Sequence, residues 1–300
     1  MYYVGIDVGG TNLKAGVVDE NGHIIAKVDC PTKVERGHEA VVADMAKLAL
    51  RAIEKSGVAM DDVKSVGIGI PGILDPRTGV VPFCTNLGWH NVPLIELMRK
   101  DIDKPIYVDN DATVATLAEN VAGVSAGAKS SVFLTLGTGV GAGIMIDGKP
   151  WSGFHGVGSE IGHIPMDIGG EPCACGNYGC VDAYATGAAV LRHFQESLQS
   201  GLPSTVEPRP ALRLEEVLEA AEAGDALAAH TVTEAAVLLG TGVANLANVL
   251  DPEMILFGGV MVERSPLYRR MLFQTVRQKI SCVRDPNGVQ LTMRSEMGRC

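Results

Sequence analysis

The feature that most constrains this chain is a pattern that occurs twice. Tyr2 to Asp7 is a short, β-rich apolar run that ends in Val8-Gly9-Gly10-Thr11-Asn12. A second run, Leu13 to Asp19, is separated from a third, His23 to Val28, by Glu20-Asn21-Gly22, and Asn-Gly is a strong hairpin signal. From Ser131 the same grammar returns: Val132 to Leu136 as an apolar strand, the turn Gly137-Thr138-Gly139-Val140-Gly141, then Ala142 to Ile146 and the turn Asp147-Gly148. Strand, glycine-threonine turn, strand and hairpin recur about 130 residues apart, so the chain reads as internally duplicated.

Glycine at such turns lets backbone amides approach an oxyanion with no Cβ in the way, and Thr11 and Asn12 add side-chain donors. Asp7, at the end of its strand, suits Mg2+ held directly or through water. One Gly-Gly turn alone is usually just a turn; two of them in repeated settings would bracket a polyphosphate tail from both sides. Neither is a Walker loop, because no Gly-x4-Gly-Lys-Ser/Thr occurs. Gly137-x-Gly139-x-Gly141 also lacks the Rossmann spacing and leads into a hairpin rather than a helix.

A second constellation runs from Glu160 to Asp182. His163, Cys173, Cys175 and Cys180 place one imidazole and three thiols within eighteen residues, a ligand set suited to a closed tetrahedral structural zinc, with Gly176 and Gly179 letting a short loop fold back on one ion. A disulfide or reduced buried thiols are the plainer readings. Glu160 and His163 are three apart and would share a face on a helix. One ring nitrogen of His163 could then hold the metal while the other faces a substrate.

Between the repeats, residues 39 to 56 carry Val42, Met45, Ala46, Ala49 and Ile53 at helical spacing and stop at Gly57; Val63 to Ile70 is a buried-type strand that stops at Pro71-Gly72. Asn86-Leu87-Gly88-Trp89 is either a loop that meets a sugar ring or an ordinary loop with Trp89 tucked down. Pro105 to Val108 is a strand running into Asp109-Asn110-Asp111, and Ala112 to Ala118 reads as helix. Asp and Asn are favoured helix caps, yet phosphoryl transfer to a hydroxyl also needs a carboxylate to accept its proton; of this group Asp111 is the candidate base and Asn110 a hydroxyl ligand. Later, Ala183 to Leu198 reads as one helix, 201 to 210 as a proline-rich loop, and 214 to 223, 226 to 250 and 267 to 279 as helices. Glu253 to Phe257 is a strand ending in Gly258-Gly259, a third place where backbone can approach a ligand.

A net charge of −10 argues against an electrostatic footprint for nucleic acid or anionic membrane. Seven cysteines is an odd count, and Cys30, Cys84, Cys282 and Cys300 lack framework spacing, which favours a reducing compartment. No uninterrupted apolar run approaches membrane-spanning length, and Met1 leads straight into a strand rather than a leader segment. The expected setting is cytoplasmic.

The doubled phosphate loops resemble the actin-like ATPase (ribonuclease H-like) and sugar-kinase architecture, an α/β fold with two lobes: 1–112, and a larger 113–300 carrying the metal segment 163–180. Together with Asn110-Asp111, the run from Leu136 through Gly162-His163, the Cys-x-Cys-Gly-x2-Gly-Cys segment and Gly258-Gly259, the chain closely resembles the ROK family of repressors and sugar kinases. The resemblance implies lobes closing over ATP-Mg2+ and a hexose, a homodimer, and zinc on His163, Cys173, Cys175 and Cys180. It implies nucleotide contacts from Asp7, Gly9, Gly10, Thr11, Asn12, Lys14, Gly137, Thr138, Gly139, Gly258 and Gly259. Asp111 matches the base that activates the sugar's 6-hydroxyl; Asn110, Glu160 and His163 match hydroxyl ligands and Gly72 a backbone contact to the sugar, while Asn86 is a candidate sugar contact from its own loop.

Two departures stand out. Where the family pattern has Glu at the end of the Cys segment this chain has Asp182, which is expected among the substrate-binding residues; with one methylene less its hydroxyl contact is lost, water-mediated or retuned, which opens the identity of the sugar. Family members also continue into a closing Gly- and Ala-rich helix, whereas this chain stops at Cys300. The resemblance implies an ATP-dependent hexose kinase of the glucokinase type, acting in glycolysis, with allose, fructose or N-acetylmannosamine as alternative substrates. A sugar sensor that has lost turnover is the reading of another class, and a DNA-binding repressor is disfavoured because Asp7 arrives too early for a preceding helix-turn-helix domain.

Overall fold

The computed structural model describes residues 1–75, 77–137, 139–280 and 288–294. They form two compact units, the first comprising Met1–Gly127 and Lys149–Gly158, the second Ala128–Gly148 and Ser159–Arg294. Each is built around a mixed sheet with its own hydrophobic core.

In the first unit β1 (Tyr2–Val8), β2 (Asn12–Asp19) and β3 (Ile24–Pro31) form the antiparallel meander that the Asn21-Gly22 turn calls for. Helix α1 (His38–Ser56) follows; it buries Val42, Met45, Ala46, Ala49 and Ile53 and ends on Gly57 in the left-handed conformation, whose N–H bonds Glu54 O. Then come β4 (Val63–Ile70), β5 (Ile73–Asp75), β6 (Val80–Cys84), β7 (Trp89–Pro93), α2 (Leu94–Met98), β8 (Ile106–Asn110) and α3 (Asp111–Ala122). The main sheet has the order β3-β2-β1-β4-β8, with β1, β4 and β8 parallel. The small sheet β5-β6-β7 was not expected from the sequence.

The second unit repeats the plan. Strands β9 (Ser131–Leu136) and β10 (Val140–Ile146) are antiparallel; a two-residue strand β11 (Lys149–Pro150) belongs to the segment grouped with the first unit. Helices α4 (Val181–Ala185), α5 (Gly187–Gln199), α6 (Leu214–Glu222) and α7 (Ala226–Leu250) lead to β12 (Met254–Gly258), α8 (Val260–Arg264), α9 (Pro266–Lys279) and β13 (Gln290–Met293). Parallel β12 lies beside β9, and β13 beside β12. As in the first unit, the strand before the glycine turn is flanked by an antiparallel hairpin partner on one side and a parallel strand on the other.

One expected helix is two. The run from 183 to 198 breaks at Thr186, which is extended and whose Oγ1 accepts from Ala189 N at 3.1 Å, so that a new helix starts there. By length and composition α7 alone among the described residues could cross a membrane. Its Ala235, Leu239, Val243 and Ala247 are instead part of the second unit's core.

Candidate active site

Parallel strands expose their C-terminal ends, with unpaired backbone groups, on one edge of a sheet, and that edge is where α/β folds take ligands. In the first unit the register puts Asp7 beside Gly69, and Gly69 beside Asp109, so the ends of β1, β4 and β8 bring Asp7, Asn110 and Asp111 to one edge. Lys14 Nζ reaches Asp7 Oδ2 at 3.3 Å from the neighbouring strand. The loop after β1 is tight: Gly9 N donates to Asn12 O at 3.0 Å, and a Cβ on Gly9 would stand 2.8 Å from that same oxygen. Gly10 approaches the carbonyl of Asn86, at 3.3 Å from a built Cβ, which joins the first glycine turn to the loop read as a sugar contact. Trp89 of that loop is 2% exposed and belongs to the core, whereas Asn86 is exposed.

Thr32 is a member of this site that the sequence did not announce. It is fully buried, its Oγ1 donates to Gly9 O at 2.6 Å and its N–H to Thr11 O at 2.9 Å, so it latches the glycine turn from the end of β3. No motif marks a threonine after Cys30-Pro31; only the pairing of Asn12 with Pro31 brings it there.

The start of α3 separates the roles of two adjacent polar residues. Asn110 is the N-cap, its Oδ1 accepting from Ala112 N at 2.9 Å and Thr113 N at 3.4 Å, while its Nδ2 donates to Gly72 O at 3.4 Å. Gly72 has φ 94°, and a Cβ there would lie 2.6 Å from Phe83 O, so only glycine fits. Asp111 is the first helical residue and its carboxylate accepts one N–H, from Ala112 at 2.9 Å. Asp111 is exposed by surface area, yet the protein atoms crowded around its carboxyl push its pKa up; the Ala112 N–H pulls the other way, and the charge of Asp7 adds to the rise.

In the second unit the corresponding edge is made by Leu136-Gly137 and Gly258-Gly259. Gly258 pairs in register with Thr135, and Gly259, at φ 112°, comes so close that a Cβ would fall 2.2 Å from Leu136 O. Gly137 N donates to Gly139 O at 3.1 Å, closing the second turn; Thr138 lies outside the described residues. Glu263 Oε1 accepts from Gly259 N at 3.1 Å and from Arg294 Nε at 2.8 Å, a support for the glycine pair that has no sequence signature.

Glu160 and His163 lie at the two ends of a single 3-10 turn over Ile161–His163, with His163 N bonded to Glu160 O at 3.1 Å, rather than on an α-helix. The ligand atoms of His163, Cys173, Cys175 and Cys180 all lie within 4.8 Å of one another. His163 Nδ1 is 3.7 Å from Cys173 Sγ, and Cys175 Sγ is 3.8 Å from Cys180 Sγ. Tetrahedral zinc with ordinary bond lengths spaces its ligand atoms roughly 3.5–3.8 Å apart, so the four donors fit. Gly179, at φ 70°, leaves no room for a Cβ against Asp167 O and turns the chain so that Cys180 closes the set. Burial and the two neighbouring sulfurs push the Cys180 thiol up to about 12, a repulsion that a dication would remove. Cys30, Cys84, Cys173, Cys175 and Cys180 are all free, so the disulfide reading fails among the described residues. Nδ1 is the ring nitrogen of His163 turned to the thiols.

Asp182 follows this cluster, and its Oδ1 accepts from Val140 N at 2.8 Å. Burial pushes its pKa up, while the Val140 N–H and the nearby His163 oppose the rise.

The ROK family profile matches residues 3–294. A glucokinase of Halalkalibacterium halodurans is 36% identical over 263 residues, 86% of this chain and 80% of the relative. A xylose repressor of Caldicellulosiruptor bescii is 28% identical over 279 residues, 92% of this chain and 70% of the relative. The solved structure of a ROK family glucokinase from Streptomyces griseus in complex with glucose and AMPPNP superposes with a TM-score of 0.83 at 30% identity, covering 99% of this chain and 96% of that one. A profile that runs almost from end to end, on a doubled sheet plan that a solved relative shares, places the fold with the actin-like ATPases, and the chain belongs to the ROK family.

Proposed function

We propose that this protein is an ATP-dependent sugar kinase that transfers the γ-phosphoryl group of ATP to the 6-hydroxyl of glucose. The observation that carries the reading is the division of labour at the start of α3: Asn110 caps the helix, and Asp111 beside it keeps a carboxyl whose pKa is raised, as a general base requires. The solved relative with glucose and AMPPNP, and the glucokinase 36% identical over 263 residues, support ATP and a hexose as the substrates.

In this reading Asp111 accepts the hydroxyl proton as the oxygen attacks the γ-phosphorus in line. Asn110, Asn86, Glu160, His163 and the backbone at Gly72 orient the sugar so that only one hydroxyl is presented. Gly9, Gly10, Thr11, Asn12 and Lys14 are assigned to the phosphates together with Gly137, Thr138 and Gly139, and Gly258-Gly259 to the nucleoside end. Asp7 is assigned to Mg2+, which offsets phosphate charge when bound. Zinc on His163, Cys173, Cys175 and Cys180 would fix the tautomer and aim of the His163 ring.

The test is a coupled assay of ADP release with ATP and Mg2+ over glucose, allose, mannose, fructose, N-acetylmannosamine and N-acetylglucosamine. Glucose should give the highest kcat/KM. A clear preference for another sugar corrects the substrate and keeps the kinase; background rates with every sugar overturn the kinase reading. With a xylose repressor among the relatives, a sugar sensor without turnover is the alternative that last outcome would favour.

A further inference from the structure

One oxygen of the Asp182 carboxylate is engaged with backbone. It is the second residue of α4, and its Oδ1 accepts at 2.8 Å from Val140 N, the first amide of β10 after the Gly137–Gly139 turn. Its Oδ2 would lie 3.4 Å from a Cβ on Gly139. A Cβ on Gly162 would fall 2.4 Å from Asp182 Oδ1 and 2.6 Å from Val140 O, so the glycine between Glu160 and His163 is what lets the carboxylate reach the loop. At the other end of the same loop, Gly187 N at the start of α5 donates to Gly137 O at 3.3 Å. The step from α4 to α5 is itself held by Thr186 Oγ1 donating to Asp182 O at 3.2 Å. One helical corner therefore grips both ends of the second glycine turn and carries Cys180 two residues before the gripping carboxylate.

We propose that Asp182 is a positioning residue for the second phosphate loop, tying the metal-held segment to the nucleotide, and that it does not serve as a direct sugar ligand. The proposal rests on the kinase reading for its functional meaning. A charged acceptor on a backbone N–H is a strong, directional bond, and it fixes the orientation of the peptide that follows Gly139. The shorter side chain suits this task. A glutamate would carry its carboxylate past the Val140 amide, so the departure from the family pattern changes what the position does rather than weakening it.

The experiment compares zinc-loaded wild type, Asp182→Asn, Asp182→Ala and Asp182→Glu in three measurements: deuterium uptake by the peptide spanning 137–141 in the ligand-free protein, equilibrium binding of AMPPNP with Mg2+, and equilibrium binding of glucose. Asp182→Ala should speed exchange in that peptide and weaken AMPPNP by about ten-fold, with glucose affinity within about two-fold. Asp182→Asn keeps an oxygen for the Val140 N–H and should restore both. If the alanine variant loses its zinc or its cooperative melt, Asp182→Glu decides, with faster exchange and weaker AMPPNP expected. Loss of glucose affinity with unchanged exchange and AMPPNP binding overturns the proposal, and so does unchanged behaviour of all three variants. Failure of the kinase reading shows separately, as a wild type without sugar phosphorylation, and the exchange measurement still decides the role of Asp182 in that case.

Discussion

Asp111 and Asp225 both stand at helix starts, and their surroundings put the same side chain to opposite uses. Asp225 caps α7 and is buried; burial pushes its pKa up, but hydrogen bonds from Ala228 N, Thr205 N, Thr205 Oγ1 and Ser204 Oγ outweigh it and bring the carboxyl down to about 2. At Asp111 desolvation by the surrounding protein outweighs the N–H from Ala112, and the charge of Asp7 adds to the rise, so its carboxyl moves up. The first arrangement stores stability and the second stores basicity. A folded pKa below the ordinary 3.8 gives stability that is present above that value and is lost as pH falls through about 2. Asp225→Asn should therefore cost about 2 kcal/mol at pH 7, and urea midpoints should show the gap to wild type closing below about pH 3. Asp111→Asn should lower kcat about 10²- to 10⁴-fold while calorimetry finds sugar affinity within a few-fold; near-wild-type turnover would remove Asp111 from the base role. Wild-type turnover should also fall on the acid side of the raised Asp111 pKa, because only the deprotonated carboxylate accepts the proton. The sequence could pick out Asn110-Asp111 as a pair, but not which of them caps the helix, because both types cap well and only the backbone angles decide.

At the scale of elements, glycine turns and long periodic helices were legible, and short pieces were not. α1, β4 and α7 follow their apolar patterns closely because each buries one face over many residues. The sheet β5-β6-β7 was missed because β5 is three residues long, Pro82 interrupts β6 and Pro93 closes the five-residue β7. Close helix contacts are equally invisible in sequence. Gly240, inside α7, has Thr275 of α9 so near that a Cβ would fall 2.7 Å from Thr275 Cβ and 3.1 Å from Leu272 O. Helix propensity alone favours Gly240→Ala by about 1 kcal/mol. Overpacking against a helix backbone and a branched Cβ costs about 1–3 kcal/mol, so the net sign should be destabilising. A thermal melt of the variant checks the sign, and a raised Tm would mean that α9 moves away without loss.

At the scale of the whole chain, the doubled pattern was the part of the fold most open to reading, because glycine turns leave letters in the sequence whereas supports such as Thr32 and Glu263 act through register and distance. Each unit has its own core: Val4, Ile68 and Met45 belong to the first, Leu134, Leu239 and Phe257 to the second. The cluster of candidate metal ligands lies entirely within the second unit, in residues 163–180. Its loop is poor in apolar contacts of its own, with Cys175 and Tyr178 exposed, so the ion is the main candidate for what orders it. Two cores with one candidate metal site predict an asymmetric response. Thermal unfolding should resolve two transitions, and a chelator that removes about one zinc per chain should lower one of them by roughly 10 °C and leave the other in place. Peptides from 159–294 should lose exchange protection in the shifted transition, while those from α1 and β4 keep it. A single transition that moves as a whole would mean that the two cores unfold as one cooperative body, and no shift at all would remove the metal from any structural role.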